Sequence, residues 1–164
     1  MSHLLSPPLP PVSPNTFSPS FALLSPRDSR AEFSFWSLWS SPLIVTSDVR
    51  GLFGHRKEIL TNPEVIAVNQ DALATAGDRV SFNNSTGAQV WSKPLSNGDV
   101  AVLLFNSHDK HTIDVACSWQ QLGIAIAADV RDLWQRVDLG RIEAGFSAKL
   151  PPHDVKFLRL TPAG

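Results

Sequence analysis

Residues 33–50, FSFWSLWSSPLIVTSDVR, constrain the fold more than any other stretch of the chain. Phe35, Leu38 and Trp39 fall at i, i+3 and i+4, with Phe33, Trp36 and Ser40 beside them. That spacing predicts a helix over 31–41 with an aromatic stripe. Pro42 closes it, because the residue before a proline is pushed out of the α region. Leu43, Ile44, Val45 and Thr46 then form a nearly continuous apolar, β-branched run, the pattern of a strand buried on both faces. The run ends in Ser47, Asp48 and Arg50. A helix feeding such a strand, with polar groups at its C-terminal end, is how the last repeat of a (β/α) barrel reads, and barrel enzymes place their chemistry at strand ends. Only about one repeat is present. A complete eight-fold barrel takes roughly 250 residues, against 164 here.

The segment before the helix is of a different kind. Residues 1–30 hold seven of the thirteen prolines and seven serines, and no acidic residue precedes Asp28. Repeated proline removes backbone donors and blocks both helix and central strand. The segment therefore reads as disordered or extended. A targeting peptide is the alternative reading, since abundant serine and absent acids resemble an organelle transit peptide. Against it, Arg27 and Arg30 are the only Lys or Arg residues, and prolines interrupt every apolar run.

After residue 50 the chain reads as two short helices and then strands. His55–Leu60 forms one helix. Asn62 is a good N-cap, with Pro63 at the first helical position and Glu64 in the first turn, so a further helix is expected to about Ala74, with Gly77 at its end. From Asp78 onward come seven short runs: 79–82, 88–91, 100–105, 111–116, 125–132, 146–150 and 155–160. Turn-formers such as Asn83-Asn84, Ser96-Asn97-Gly98 and Pro151-Pro152 separate most of them. This spacing predicts an antiparallel sandwich. Val100–Phe105 is the most apolar and is expected at the centre, whereas the imperfect alternation of Lys156–Leu160 suggests an outer strand with one wetter face. The fold class is therefore mainly β: a disordered Pro/Ser-rich segment (1–30), a barrel remnant (31–77) and a C-terminal β-sandwich (78–164).

Composition narrows the function classes. A formal net charge of −1, with Lys and Arg scattered, gives no electrostatic argument for nucleic acid. No apolar run approaches the roughly 18 residues of a membrane span. The single cysteine, Cys117, allows neither an internal disulfide nor a cysteine-based zinc site.

The order of motifs is more specific than any one of them. It runs Phe33-Ser34-Phe35-Trp36-Ser37-Leu38-Trp39, Ser41-Pro42-Leu43-Ile44, Ser47-Asp48-Val49-Arg50 and Glu64-Val65-Ile66-Ala67-Val68-Asn69-Gln70-Asp71. Val90-Trp91-Ser92-Lys93-Pro94-Leu95, Val100–Asn106, Asp129–Trp134, Pro152–Lys156 and Leu160-Thr161-Pro162 follow. Over about residues 31–162 this resembles the end of family 27 glycoside hydrolases, the α-galactosidases, with plant-like members most similar. Val90–Leu95 corresponds to a VWaGPLs-type motif of that family. The resemblance implies a barrel followed by an antiparallel Greek-key sandwich, retaining hydrolysis of terminal α-linked galactose, a galactose-containing saccharide as partner, and no metal or other cofactor. It also implies a nucleophile in a KYD-type motif, an acid/base aspartate further on, and a WNDPDM-type motif. None of these occurs here. The chain therefore resembles the last helix–strand–helix of the barrel plus the sandwich, with no catalytic residue of its own. The alternative is a carbohydrate-binding or interaction sandwich without catalysis.

Several side chains invite a sharper reading. Ser47, Asp48 and Arg50 could be an active-site rim, or an ion-paired cluster holding a loop. The paired reading is favoured, because Arg50 would keep Asp48 ionised and make it a poor general acid. His108-Asp109-Lys110-His111 has metal-like spacing but lies between strands, which favours a solvated hairpin turn. Asn83-Asn84-Ser85-Thr86 holds two overlapping glycosylation sequons, meaningful in a secreted chain and otherwise turn chemistry. Trp36, Trp39, Trp91, Trp119 and Trp134 read as packing rather than as a sugar platform. Asn69, Gln70 and Asp71 read as anchors between barrel and sandwich. Deprived of neighbouring repeats, Phe33, Phe35, Trp36 and Leu43–Val45 are expected to stay loosely ordered, dock back on the sandwich or drive self-association. The sandwich from about Asp78 is expected to be the stable unit.

Overall fold

The computed structural model describes residues 24–45 and 48–163. Residues 1–23, with most of the Pro/Ser-rich segment, and Thr46 and Ser47 lie outside the described residues. Three helices, α1 (Pro26–Leu38), α2 (Gly54–Leu60) and α3 (Pro63–Asn69), precede eight strands. The strands are β1 (Asp78–Asn83), β2 (Ala88–Pro94), β3 (Val100–Asn106), β4 (Ile113–Ser118), β5 (Ala127–Asp132), β6 (Val137–Glu143), β7 (Gly145–Leu150) and β8 (Val155–Pro162).

Helix α1 starts five residues before the expected boundary at 31. Ser25 accepts from the Asp28 N–H while the Asp28 carboxylate accepts from Ser25, a reciprocal capping box. Pro26 takes the first helical position, where a missing N–H costs nothing. Helix α3 is shorter than expected, ending at Asn69 rather than near Ala74. Gly77 is not its terminator. A Cβ there would come within 2.6 Å of Leu38 Cγ and 2.9 Å of the Ser92 carbonyl oxygen, so the glycine lets the linker pass between α1 and β2.

Leu43–Val45 does not form the expected strand. The apolar pattern is present, but a parallel strand needs neighbours to satisfy its backbone, and no described strand runs beside it. Ile44 and Val45 remain 70% and 43% exposed.

Six antiparallel strands form one sheet in the order β1-β2-β3-β8-β5-β6, and β4-β7 form a second. The chain crosses from β3 to β4, returns at β5, crosses again at β7, and inserts β8 between β3 and β5. The central place of β3 matches the sequence. That of β8 does not: it is an inner strand, not an outer one. Its two charges are paired, Lys156 with Asp132 at 2.5 Å and Arg159 with Asp99 at 3.5 Å, which lets an inner strand carry them. Strand β6 escaped the sequence reading. It is a mostly exposed edge strand, interrupted by Gly140 in the left-handed region.

Period-two alternation gives the large sheet two apolar faces. Val90, Val102, Leu104, Val130, Leu158 and Leu160 pack against the β4-β7 sheet around Val115, Cys117 and Leu150. Ala101, Leu103 and Phe157 point the other way and meet Phe33, Leu38, Val65 and Val68 of the helices. The molecule thus has three layers: helices, large sheet, small sheet. Phe33 is only 2% exposed and Leu38 fully buried, so docking back onto the sandwich is the outcome for α1. The stable unit expected to begin near Asp78 therefore shares one of its two cores with the helices. Phe33→Ala should lower the unfolding free energy by about 3–5 kcal/mol, read as a reduced urea midpoint in one transition. A separate early transition for the helices would contradict the shared core.

Candidate functional site

The segment between α1 and α2 carries the strand-end residues. Asp48 caps a 3-10 turn, Val49–Gly51. Its Oδ1 accepts from the Arg50 backbone N–H at 3.0 Å and from Nε at 2.9 Å, while Oδ2 accepts from Nη2 at 2.8 Å. Hydrogen bonds from the Arg50 side chain and backbone hold the Asp48 carboxyl down at about 2. Both side chains are exposed. A carboxylate held that low by its own neighbour is a poor proton donor near neutral pH, and it reaches a second carboxyl only by giving up three bonds. Asp48 and Arg50 are thus an ion pair within one loop. Ser47, the third member, lies outside the described residues.

The dense polar network lies between the helices and the large sheet. Asn62 caps α3 through Oδ1, which accepts from the N–H groups of Glu64 and Val65, while its Nδ2 donates to the Leu133 carbonyl at 3.0 Å. Arg131 on β5 forks onto Glu64 of α3 at 2.8 and 2.6 Å and reaches Asp138 at 2.9 Å. Trp134 Nε1 donates to Ser34 Oγ on α1. Of the three residues expected to anchor barrel to sandwich, Asp71 alone reaches the sandwich, and Asn69 instead ties α3 to the end of α1. Asn69 Nδ2 donates to the carbonyls of Trp36 and Ser41, and the Asp71 carboxylate accepts from the N–H and hydroxyl of Ser96 in the β2–β3 loop. Gln70 donates to Asn69 Oδ1.

Lys93 is the residue this sequence reading missed. It points from β2 into the helical layer, fully buried, and its Nζ donates to the Val68 carbonyl at 2.6 Å and to Ser40 Oγ at 2.7 Å. Val68 lies in the last turn of α3, where a cation meets the negative end of the helix dipole. Burial pushes the ammonium below its usual range, and the Asp71 carboxylate opposes that shift. The signal was available: Lys93 stands at the glycine of the VWaGPLs-type motif.

The histidine loop links β3 to β4 across the two sheets, rather than turning a hairpin within one. His108 Nδ1 accepts from the N–H groups of Lys110 and His111. Among the described residues no group of three or more His, Cys, Asp or Glu is placed to hold a metal ion. His153, in a left-handed turn before β8, lies between Asp28 at 3.2 Å and Asp109 at 3.1 Å, joining the start of α1 to that loop. Four of the five tryptophans pack against other residues. Trp39 and Trp91 meet edge to face at 5.7 Å with Phe35 against both, Trp134 lies 6.4 Å from Phe33, and Trp119 is buried with Nε1 donating to the Ile142 carbonyl. An open depression of about 250 Å³ between β5, β6 and β8 holds Asp129 and Asp138, but Asp138 is bound to Arg131.

Comparison with known proteins places these observations. Residues 18–71 match the family model for alpha galactosidase A, and residues 85–160 match that of the alpha galactosidase C-terminal beta sandwich domain. An alpha-galactosidase of Oryza sativa is 39% identical over 141 residues, which are 85% of this chain and 33% of that protein. The chain thus spans about a third of the length of the curated relatives it matches. The crystal structure of alpha-galactosidase I from Mortierella vinacea superposes with a TM-score of 0.80 at 28% identity, covering 85% of this chain and 36% of that one. A family 27 β-L-arabinopyranosidase from Geobacillus stearothermophilus gives 0.80 at 27%, covering 87% and 32%.

Lys93 gives a pH-dependent prediction. Its folded pKa lies below the ordinary 10.5. The unfolded chain therefore binds more protons between the two values, and this contribution to stability rises as pH climbs toward 10.5. Cys117, whose thiol burial raises, contributes the opposite slope above its usual 9.0. Comparison with Lys93→Met, which retains Cys117, isolates the lysine. Urea unfolding at pH 7 and pH 10 should show the difference between parent and variant moving in favour of the parent at pH 10. Equal slopes would overturn the assignment.

Proposed function

Because the chain is α-galactosidase-like and corresponds to the C-terminal portion of family 27 glycoside hydrolases, we propose that it contributes the sandwich and last barrel segment of an enzyme that removes terminal α-linked galactose, and that it has no turnover by itself. The observation carrying this reading is the state of Asp48. Retaining hydrolysis takes two carboxyl groups roughly 5–5.5 Å apart, one of them able to deliver a proton. Asp48 is the carboxylate at the strand-end position, and its hydrogen bonds and ion pairs among the described residues go to Arg50 alone. With its carboxyl held at about 2, it stays ionised where a general acid must be protonated.

The choice of sugar follows the relatives. The curated relatives in Oryza sativa, Arabidopsis thaliana and Cyamopsis tetragonoloba, at 39%, 39% and 36% identity, are alpha-galactosidases, which favours α-galactosides. The part played by this portion is mechanical. It presents a helical layer clamped to a rigid sheet, with Ile44, Val45, Val49 and Phe53 exposed on the α1–α2 segment, where further barrel repeats would pack.

The purified chain should release no chromophore from a nitrophenyl α-galactoside above a blank carrying the same tag, and Asp48→Asn should leave that blank-level rate unchanged. Turnover abolished by Asp48→Asn would overturn the proposal. Saturable quenching of tryptophan fluorescence by raffinose, without turnover, would instead favour the non-catalytic carbohydrate-binding module, for which the 39% exposure of Trp39 is the supporting observation.

A further inference from the structure

We propose that Asn84 is an N-glycosylation site, that of the two overlapping sequons only this one is used, and that the attached sugar covers the exposed ring of Phe82. The sequons are Asn83-Asn84-Ser85 and Asn84-Ser85-Thr86, at the tip of the β1–β2 hairpin. The hairpin treats the two asparagines differently. Asn83 ends β1, pairs with Ala88, and its Oδ1 accepts from the N–H groups of Ser85 at 3.0 Å and Thr86 at 3.2 Å. Its carbonyl accepts from the Gly87 N–H at 2.8 Å, with Gly87 at φ +80° closing the turn. The Asn83 side chain is thus part of the turn. Asn84 is exposed at the apex, and no hydrogen bond engages its side chain. A glycan there displaces nothing.

Phe82 and Thr86 flank Asn84 at i−2 and i+2 in this hairpin. Phe82 is 44% exposed, and its ring is contacted by the guanidinium of Arg79 at 5.0 Å. A partly exposed aromatic ring two residues before an apex asparagine suits the apolar C–H face of a pyranose, which removes apolar area from solvent as any other cover would. Strand β1 is also an edge of the large sheet, with backbone groups open to pairing, and a bulky glycan at its end shields it.

The chemistry is a group transfer from a lipid diphosphate-linked oligosaccharide, with an oligosaccharyltransferase as catalyst. The amide Nδ2 of Asn84 attacks the anomeric carbon and forms the N–C bond. The C–O bond to the diphosphate breaks, the lipid diphosphate leaves with the electron pair, and one Nδ2 proton passes to a base of the transferase.

The test is translation of the full chain, behind a cleavable signal peptide, with endoplasmic-reticulum microsomes. The expected product carries one glycan, mapped to Asn84 by peptide mass spectrometry, retained in Asn83→Gln and absent from Asn84→Gln. No glycan, or a glycan on Asn83, overturns the site. Glycosylated protein should also melt a few degrees above the same chain made without transfer, and Phe82→Ala should abolish that gain. A gain unchanged by Phe82→Ala overturns the contact.

Discussion

The constraint on which the structure depends is that a six-stranded sheet with apolar residues on both faces must be covered twice. Two strands, β4 and β7, cover one face. The other falls to three helices containing 13, 7 and 7 residues, too short to persist without packing. Each layer therefore depends on the other. Phe33, Leu38, Val65 and Val68 are buried because Leu103 and Phe157 are there to receive them, and the sheet keeps those residues dry because the helices lie on it.

Apolar packing alone does not fix the position of a helix on a sheet, and the polar seam supplies the register. Its members are spread through the sequence, yet each sets one coordinate of the helical layer. Asn62 binds the start of α3 to Leu133, Arg131 holds the first turn of α3 through Glu64, Asn69 joins its end to α1, and Trp134 locates the middle of α1 through Ser34. Lys93 adds a bond to the carbonyl of Val68 near the C-terminal end of α3. The Asp129–Trp134 motif is thus a docking strip rather than a site.

What was legible in the sequence was what local chemistry decides. Asn62-Pro63-Glu64 announced a helix start, Val100–Phe105 a central strand, and Asp48-Val49-Arg50 a short-range ion pair, because each is settled within a few residues. What was not legible depended on partners far along the chain. Strand β8 looked peripheral because Lys156 and Arg159 are charged, and their pairing with Asp132 and Asp99 cannot be read from β8 itself. Strand β6 is exposed and broken by Gly140, so it carries no apolar alternation to find. Leu43–Val45 erred in the opposite direction: the residues suit a buried strand, but pattern does not make a strand where no described strand pairs with it.

That last case bears on function. A catalytic carboxylate at a barrel strand end owes its position and its proton affinity to neighbouring strands, which hold it in place and surround it with a field. Here no described strand runs beside Leu43–Val45, and Asp48 takes the partner that local geometry offers, the guanidinium two residues on. The pair is closed on itself: Asp48 accepts from an Nε–H, an Nη2–H and a backbone N–H of Arg50. Such closure stabilises a turn and removes the group from acid–base chemistry by the same interaction. The sandwich can be complete, with its helical cover clamped in register, while the carboxylate that follows Leu43–Val45 is committed to holding a loop.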